Sequence, residues 1–427
     1  MDHYPTRVQT HLKIITSQLA AAETVLARVL TMTQPADAVL SSYFRAERRL
    51  GQSERAFIAE SVFGVLRRRY GLEYQTGANT ARQLLLAYFN RIEGVSLRQM
   101  EPELTPEDTR WAAAIKSPPA APPPHVVAEL PEWLVAMLAA EMAEEEILAL
   151  GRALQKPAPL DLRVNTMLAT RSEVIKQFAA DGVRAHETPH SPMGVRLETK
   201  PALSRHPLFL AGKIEVQDEG SQILCHLLAP KRREMIVDFC AGAGGKTLLL
   251  GALMQSLGRL YAFDISDARL NKFKPRLKRS GLSNVHPQLL HNENDIKVKR
   301  LVGKIDRVLV DAPCSGFGTL RRNPDLKWRQ SRQDVAELAQ KQTAILNAAA
   351  PLLKPGGRLV YATCSFLRAE NQDVIAKFLD AHPNFHIVPA NAVMKQQHIT
   401  LDTGEFLQLY PHRHDCDGFF AAALECK

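Results

Sequence analysis

The sequence predicts an α/β protein whose carboxy-terminal half is a doubly wound parallel sheet, preceded by a helical domain and a small α+β module. Three observations predict it. From about residue 217, short apolar runs alternate with helical patterns, and each run ends in turn chemistry or a polar residue. A glycine-rich turn follows one of these runs and opens a helix. A proline-rich segment, 117–125, separates a helical region from everything after it. With 427 residues the chain is too long for one ordinary domain.

Hydrophobic residues at 45% and charged residues at 23% are a globular balance, which excludes disorder of the whole chain. No apolar run is long enough to span a membrane as a helix, so no membrane is expected. Met1-Asp-His-Tyr-Pro5 lacks the basic flank and apolar block of a secretory signal. Six cysteines, none in a CxxC pair, are too few for a disulfide scaffold, so reduced thiols and a cytoplasmic location are expected. A net charge of +9 admits a polyanionic partner without demanding one.

Residues 8–75 read as helical. Apolar side chains recur at helical spacing through Leu26, Val29 and Leu30, then Val39, Leu40, Tyr43 and Phe44. A third helix is expected after Ser53, read as its N-cap, with Phe57, Ile58, Val62, Phe63, Val65 and Leu66 on one face. Arg45, Arg48, Arg49, Arg55, Arg67, Arg68 and Arg69 cluster here, a pattern shared by solvated faces and nucleic-acid surfaces. Five prolines within Ser117–Pro124 neither continue a helix nor fit inside a sheet, so an exposed linker is expected. A helical stretch, Glu129–Leu154, follows. Residues 160–216 then mix strand-like runs (Leu160–Val164, Gly194–Leu197, Lys213–Val216) with a helical piece, Ser172–Ala180.

In the last half the strand runs are Met235–Phe239, Leu260–Phe263, Arg307–Val310 and Arg358–Tyr361. After the first lies Cys240-Ala241-Gly242-Ala243-Gly244-Gly245-Lys246, whose glycines let the backbone turn sharply and approach a ligand. A phosphate loop of the GxxxxGK[ST] type would need glycine where Cys240 stands. The second strand ends in Asp264, about twenty residues on, where an acid can accept from both hydroxyls of a ribose. Together these features indicate an adenosine-containing cofactor and leave NAD and S-adenosylmethionine open. The third and fourth runs end in Asp311-Ala-Pro-Cys314-Ser-Gly and Ala362-Thr-Cys364-Ser. In a doubly wound sheet the carboxyl ends of strands line the ligand crevice, so both thiols are expected beside the cofactor. No His or Cys at metal-ligand spacing accompanies them, and no metal is expected.

These motifs resemble the RNA (cytosine-5) methyltransferases of the RsmB / NOL1-NOP2-Sun family. The resemblance rests on the Cys240–Lys246 loop, Asp264, Asp311–Gly316, Arg321-Arg-Asn-Pro-Asp325, Lys354-Pro-Gly-Gly357, Thr363-Cys-Ser365 with Glu370-Asn371, His412-Arg-His414 with Asp417-Gly-Phe-Phe420, and Gln217–Gln222. It covers roughly residues 160–427, with a weaker similarity of residues 20–75 to the family's helical RNA-binding domain. The family's commonest loop, Cys-Ala-Ala-Pro-Gly-Gly-Lys, differs here at Gly242 and Ala243.

The resemblance implies a NusB-like helical RNA-binding domain (1–116), the linker (117–125), an α+β RNA-binding module (126–216) and a Rossmann-like methyltransferase domain (217–427). It implies S-adenosylmethionine as cofactor, held by Cys240–Lys246, Asp264, Asp311 and either Asn292 or Asp295 at the adenine. It implies Cys364 as nucleophile, Cys314 in release of the methylated base, Asp311 on the cytosine edge and Lys246 as a nearby positive charge. The implied partner is RNA, ribosomal RNA ahead of transfer RNA, and the implied state a monomer. Three alternatives remain at this level. A DNA cytosine-5 enzyme would use Cys314 as nucleophile. A non-catalytic RNA-binding assembly factor would retain the fold alone. An NAD-dependent oxidoreductase would share the glycine loop.

Overall fold

The computed structural model describes residues 16–115 and 121–427. The amino-terminal residues 1–5, residues 8–15 of the first helical reading and residues 117–120 of the linker lie outside them. Among the described residues, no helix is long and apolar enough to cross a membrane. The chain forms two compact units. One holds the described residues up to Lys156 together with Leu320–Gln330; the other holds Pro157–Thr319 and Ser331–Lys427.

The first unit is helical. Helices Thr16–Val29, Ala36–Ala46, Gln52–Thr76 and Ala81–Arg91 bury Leu26, Ile58, Leu66 and Phe89 in one core. The third begins at Gln52, not after Ser53. The Glu54 carboxylate reaches back to accept from the Gly51 N–H at 2.7 Å, so the cap is formed there and Ser53 falls inside the helix. The expected helix over Glu129–Leu154 is two, Glu132–Leu138 and Glu144–Leu154, with a short helix, Pro124–Ala128, ahead of them. Glu129 takes a left-handed φ of 55° and Pro131 lacks the N–H needed to continue, so helix stops at Ala128 and restarts at Glu132. Pro124, read as linker, instead starts a helix, where a missing N–H costs nothing.

The arginine cluster is partly spent inside this unit. Arg67 is mostly buried and donates to the Arg321 carbonyl at 2.9 Å. Arg55 donates to the Leu50 carbonyl at 2.9 Å, and Arg69 pairs with Glu73 and lies over the Trp328 ring. Arg45, Arg48 and Arg49 stay exposed. Segment Leu320–Gln330 is woven into the same unit: Asp325 accepts from the Ala36 N–H at 3.2 Å, Trp328 stacks on Tyr70, and the buried Lys327 ammonium donates to the Glu129 carbonyl at 2.8 Å.

The second unit begins with a four-stranded antiparallel sheet ordered β2-β3-β1-β4. The strands are β1 (Leu160–Val164), β2 (Ala185–Glu187), β3 (Gly194–Leu197) and β4 (Ile214–Val216). Helix Arg171–Ala180 packs Val174 and Phe178 beneath it, and a Thr170/Glu173 capping box fixes its start. The larger sheet has β5 (Met235–Asp238), β6 (Arg259–Asp264), β7 (Val285–Leu289), β8 (Ile305–Asp311), β9 (Leu353–Thr363), β10 (Phe385–Val388), β11 (Leu407–Leu409) and β12 (Phe419–Cys426). Its order is β10-β12-β9-β8-β5-β6-β7, with β11 on β12. Pairs from β9 to β7 are parallel; β12 is antiparallel to its neighbours. Adjacent residues of β5, Ile236 and Val237, enter different buried clusters, as strands covered on both faces require. The small sheet shares one of those clusters, and Asn165 ties it down by donating to the Gly212 and Ser280 carbonyls at 3.0 and 2.9 Å.

Helix Glu219–Leu228 lies in that shared core and carries His226. Burial pulls its imidazole pKa down to about 4. The folded protein therefore keeps His226 neutral over a range in which the unfolded chain takes up a proton. Stability from this site is complete above the ordinary histidine pKa and is lost as the pH falls toward 4, by about 3 kcal/mol in all. Denaturant midpoints measured at neutral and acid pH should fall further in the parent than in a His226→Asn variant. Equal falls would show that His226 does not set this slope.

Candidate active site

The carboxyl ends of β5, β6, β8 and β9 all open on one edge of the sheet, because these strands run parallel. The turn after β5 leads to helix Gly245–Leu253. Gly242 has φ +58° and no atom within 4 Å of where a Cβ would stand, so its face is open to a ligand. Gly244 has φ +81°, and a Cβ there would overlap the Phe273 ring. The loop is fixed from outside. The Gly242 N–H donates to Asp264 Oδ2 at 2.8 Å, Ser266 N–H to Asp264 Oδ1 at 2.7 Å, and Arg276 Nη1 to the Ala243 carbonyl at 2.7 Å. Arg276 also pairs with Glu215 of β4, so the small sheet braces the loop. Asp264 thus holds the turn as well as standing at the end of β6.

Asp238 closes β5 and was not among the predicted residues. It is fully buried, accepts from Thr247 Oγ1 at 2.6 Å through one oxygen and leaves the other, Oδ1, without a partner. Burial pushes its carboxyl up to about 7. The signal for it was present: an acid immediately ahead of a glycine turn.

Asn292 and Asp295 lie in the turn after β7. Asp295 is committed to that turn, accepting from the His291 and Lys297 N–H groups at 3.0 and 2.9 Å as the cap of a short helix. Asn292 is exposed and accepts from the Asn294 N–H at 2.9 Å.

The two cysteines converge. Sγ of Cys314 and Sγ of Cys364 are 3.1 Å apart, and the Cys364 N–H donates to the Cys314 sulfur at 3.3 Å. Both are free thiols. The register places Asp311 opposite Ala362, which carries the loops after β8 and β9 side by side. Lys246, from the glycine loop, donates to Asp311 Oδ2 at 2.7 Å and lies over the Phe419 ring. Burial opposes the Lys246 charge, but Asp311 outweighs it and holds the ammonium well above the usual lysine range. The Cys314 thiol is pushed far up, first by its hydrogen bond with Cys364 and then by burial. Cys240, in the loop itself, is likewise pushed far up by burial and the acids around it. Cys364, Cys314, Asp311 and Lys246 therefore meet at one place, and the Cys240–Gly245 turn with Asp264 adjoins it through Lys246.

Comparison with known proteins matches this chain to two family models. Residues 225–425 match the 16S rRNA methyltransferase RsmB/F model, and residues 130–204 the ferredoxin-like domain of RsmF/B-like methyltransferases. The probable ribosomal RNA small subunit methyltransferase B of Synechocystis sp. is 37% identical over 299 residues, 69% of this chain and 66% of that protein. Its Bacillus subtilis counterpart is 34% identical over 306 residues, 70% of this chain and 66% of that protein. The match thus spans about 66% of each relative's length. Among solved structures, PH0851 superposes with a TM-score of 0.80 at 26% identity, covering 97% of this chain and 99% of its own. NSun6 from Pyrococcus horikoshii with SFG superposes with a TM-score of 0.61 at 21% identity, covering 69% and 98%. S-adenosylmethionine is the cofactor of such a methyltransferase, and the residues present fit it: an open glycine face, an acid at the end of β6 and an unsatisfied buried carboxylate oxygen on Asp238. Two family models joined end to end and a parallel sheet with paired thiols at its rim lead to one assignment: the chain belongs to the RsmB / NOL1-NOP2-Sun family of RNA methyltransferases.

Proposed function

We propose that this protein transfers a methyl group from S-adenosylmethionine to C5 of a cytosine in RNA, with ribosomal RNA as substrate, through a covalent Cys364–C6 adduct. The observation that carries the proposal is the 3.1 Å approach of two reduced thiols beside the Lys246–Asp311 pair.

Cytosine C5 is a poor nucleophile. Addition of a thiolate at C6 turns C5 into an enamine carbon able to attack a methyl group. The cofactor, when bound, supplies that methyl on a positively charged sulfur. Everything else falls to the chain. Cys364 is the nucleophile. Cys314 holds its proton firmly and lies against the Cys364 sulfur, so its S–H is placed to support a Cys364 thiolate. Asp311 accepts from the exocyclic amine of the cytosine through one oxygen, and Lys246 pairs with its Oδ2. After methylation water takes the C5 proton as the C6–S bond breaks, and the Cys314 S–H beside that bond gives its proton to the departing Cys364 sulfur. The base reaches the site unstacked. The helical unit and the α+β module supply RNA contacts, with Arg45, Arg48 and Arg49 among them.

Bisulfite sequencing of total RNA, from cells with and without the gene, tests the reading. A ribosomal cytosine protected only when the gene is present is the expected result. Methylation at another atom, or at no cytosine, overturns it.

A further inference from the structure

We propose that Glu370 is the positioning residue for both active-site sulfurs, its buried carboxylate tying the Cys314 loop to the Cys364 loop and so setting their separation. The proposal rests on the two-cysteine reading above and extends it to a side chain that touches neither sulfur.

Glu370 has no solvent exposure. Its two oxygens take four donors. Oε1 accepts from the Ser315 N–H at 2.8 Å and from Gln342 Nε2 at 3.0 Å. Oε2 accepts from the Ser315 and Ser365 hydroxyls, each at 2.6 Å. Ser315 follows Cys314 and Ser365 follows Cys364. A single carboxylate therefore grips the residue next to each thiol. The strand ladder cannot do this alone, since the last register pair of β8 and β9 is Asp311 with Ala362, short of both cysteines. Beyond it the loops share the Ala312 N–H to Ala362 carbonyl and Gly318 N–H to Cys364 carbonyl bonds at 2.9 Å, the Cys364 N–H to Cys314 sulfur bond and a Ser315–Ser365 hydroxyl bond at 3.2 Å, and the carboxylate binds both of those serines.

The carboxylate is itself fixed. Gln342, fully buried on helix Arg332–Ala349, donates both to Glu370 and to the Pro313 carbonyl at 2.9 Å. The Tyr361 hydroxyl donates to the Glu370 carbonyl at 2.6 Å. Neighbouring Asn371 accepts from the Thr363 hydroxyl and donates to the Ser365 carbonyl at 3.0 Å, holding the other side of the Cys364 turn. Four donors converging on one buried group call for an acceptor with no hydrogen of its own, which an ionised carboxylate is and a carboxamide is not. The charge has a second effect. After the hydrogen bond with Cys364, burial and the Cys364 charge, Glu370 further disfavours a thiolate on Cys314. The sulfur beside this carboxylate is thereby kept as the proton-bearing member of the pair.

The test is Glu370→Gln, which keeps the shape and removes the charge. One readout needs neither RNA nor activity: the rate at which diamide couples Cys314 to Cys364, followed by peptide mass spectrometry. Diamide takes the two thiol hydrogens and is reduced to the hydrazine as the S–S bond forms. Coupling should slow in the variant, and kcat should fall by about a hundredfold, the cost of an ångström of misplacement at a reacting group, with KM for RNA unchanged. Coupling and kcat equal to those of the parent overturn the proposal. Should Glu370→Gln fail to fold, Ser365→Ala leaves the carboxylate and removes one donor, and should slow coupling and turnover by about tenfold; parental values there overturn it equally. If coupling slows while a Cys364→Ala enzyme still methylates RNA, the positioning role stands and the catalytic reading fails.

Discussion

Replacing Cys364 by alanine is expected to abolish methyl transfer while leaving S-adenosylmethionine affinity intact. On the proposed mechanism the thiol is the group that makes C5 reactive, and no neighbour can take its place. Cys314 is held as a thiol, and Cys240 lies in the cofactor loop with its own thiolate strongly disfavoured. Loss of a covalent nucleophile typically costs about 10⁴-fold or more in kcat. The cofactor-facing parts, the Gly242 turn and Asp264, are fixed by bonds that do not include Cys364. Tritium transfer from labelled cofactor to RNA, with isothermal titration of the cofactor alongside, measures both halves. Retained turnover sinks the nucleophile assignment. It would also revive the alternative in which Cys314 attacks.

The second large effect is the reverse of a loss. Cys314→Ala should form the adduct and fail to release it, so protein–RNA complexes should survive a denaturing gel. Attack at C6 and methylation at C5 rest on Cys364, Asp311 and Lys246, all retained in the variant, which loses only the assistance of the Cys314 S–H to the first of these steps. Resolution requires that the C5 proton be taken while the C6–S bond opens, and the removed sulfur stands 3.1 Å from the sulfur in that bond. A band of slowed protein that disappears on ribonuclease treatment is the expected observation. If a good substrate gives no such band, Cys314 has no part in release.

Much of this site was legible in the chain because its parts sit at strand ends, and strand ends are announced by an apolar run stopping at a polar residue. Asp264, Asp311, Cys314 and Cys364 all lie at such places, and parallel topology alone brings them to one edge. Asp238 is at a strand end too, yet its acid reads as part of the glycine turn and its unsatisfied oxygen is visible only in three dimensions. Glu370 was legible as a motif residue and mute about its use, because its partners come from three separate segments. The strands at the far edge were harder. β12 reads Phe-Phe-Ala-Ala-Ala-Leu, a composition with strong helical preference, and it becomes a strand only because β9, β10 and β11 offer it ladders. In the helical unit the errors were at boundaries, where the Gly51–Glu54 cap formed two residues ahead of Ser53 and where the run from Glu129 to Leu154 broke between Leu138 and Glu144. Arginine spacing also overstated the charge on offer, since Arg55, Arg67 and Arg69 are occupied within their own unit.

The excursion of Leu320–Gln330 into the helical unit bears on any attempt to trim the protein. A fragment starting at Pro157 would keep that segment and lose what it fits: Ala36 for Asp325, Tyr70 for Trp328, Glu129 for Lys327. A desolvated ammonium and an aromatic ring would be turned out into water between Thr319 and Ser331. Deleting the helical unit thus leaves an orphaned piece of it stitched into the other, so no single cut in the chain parts the two units.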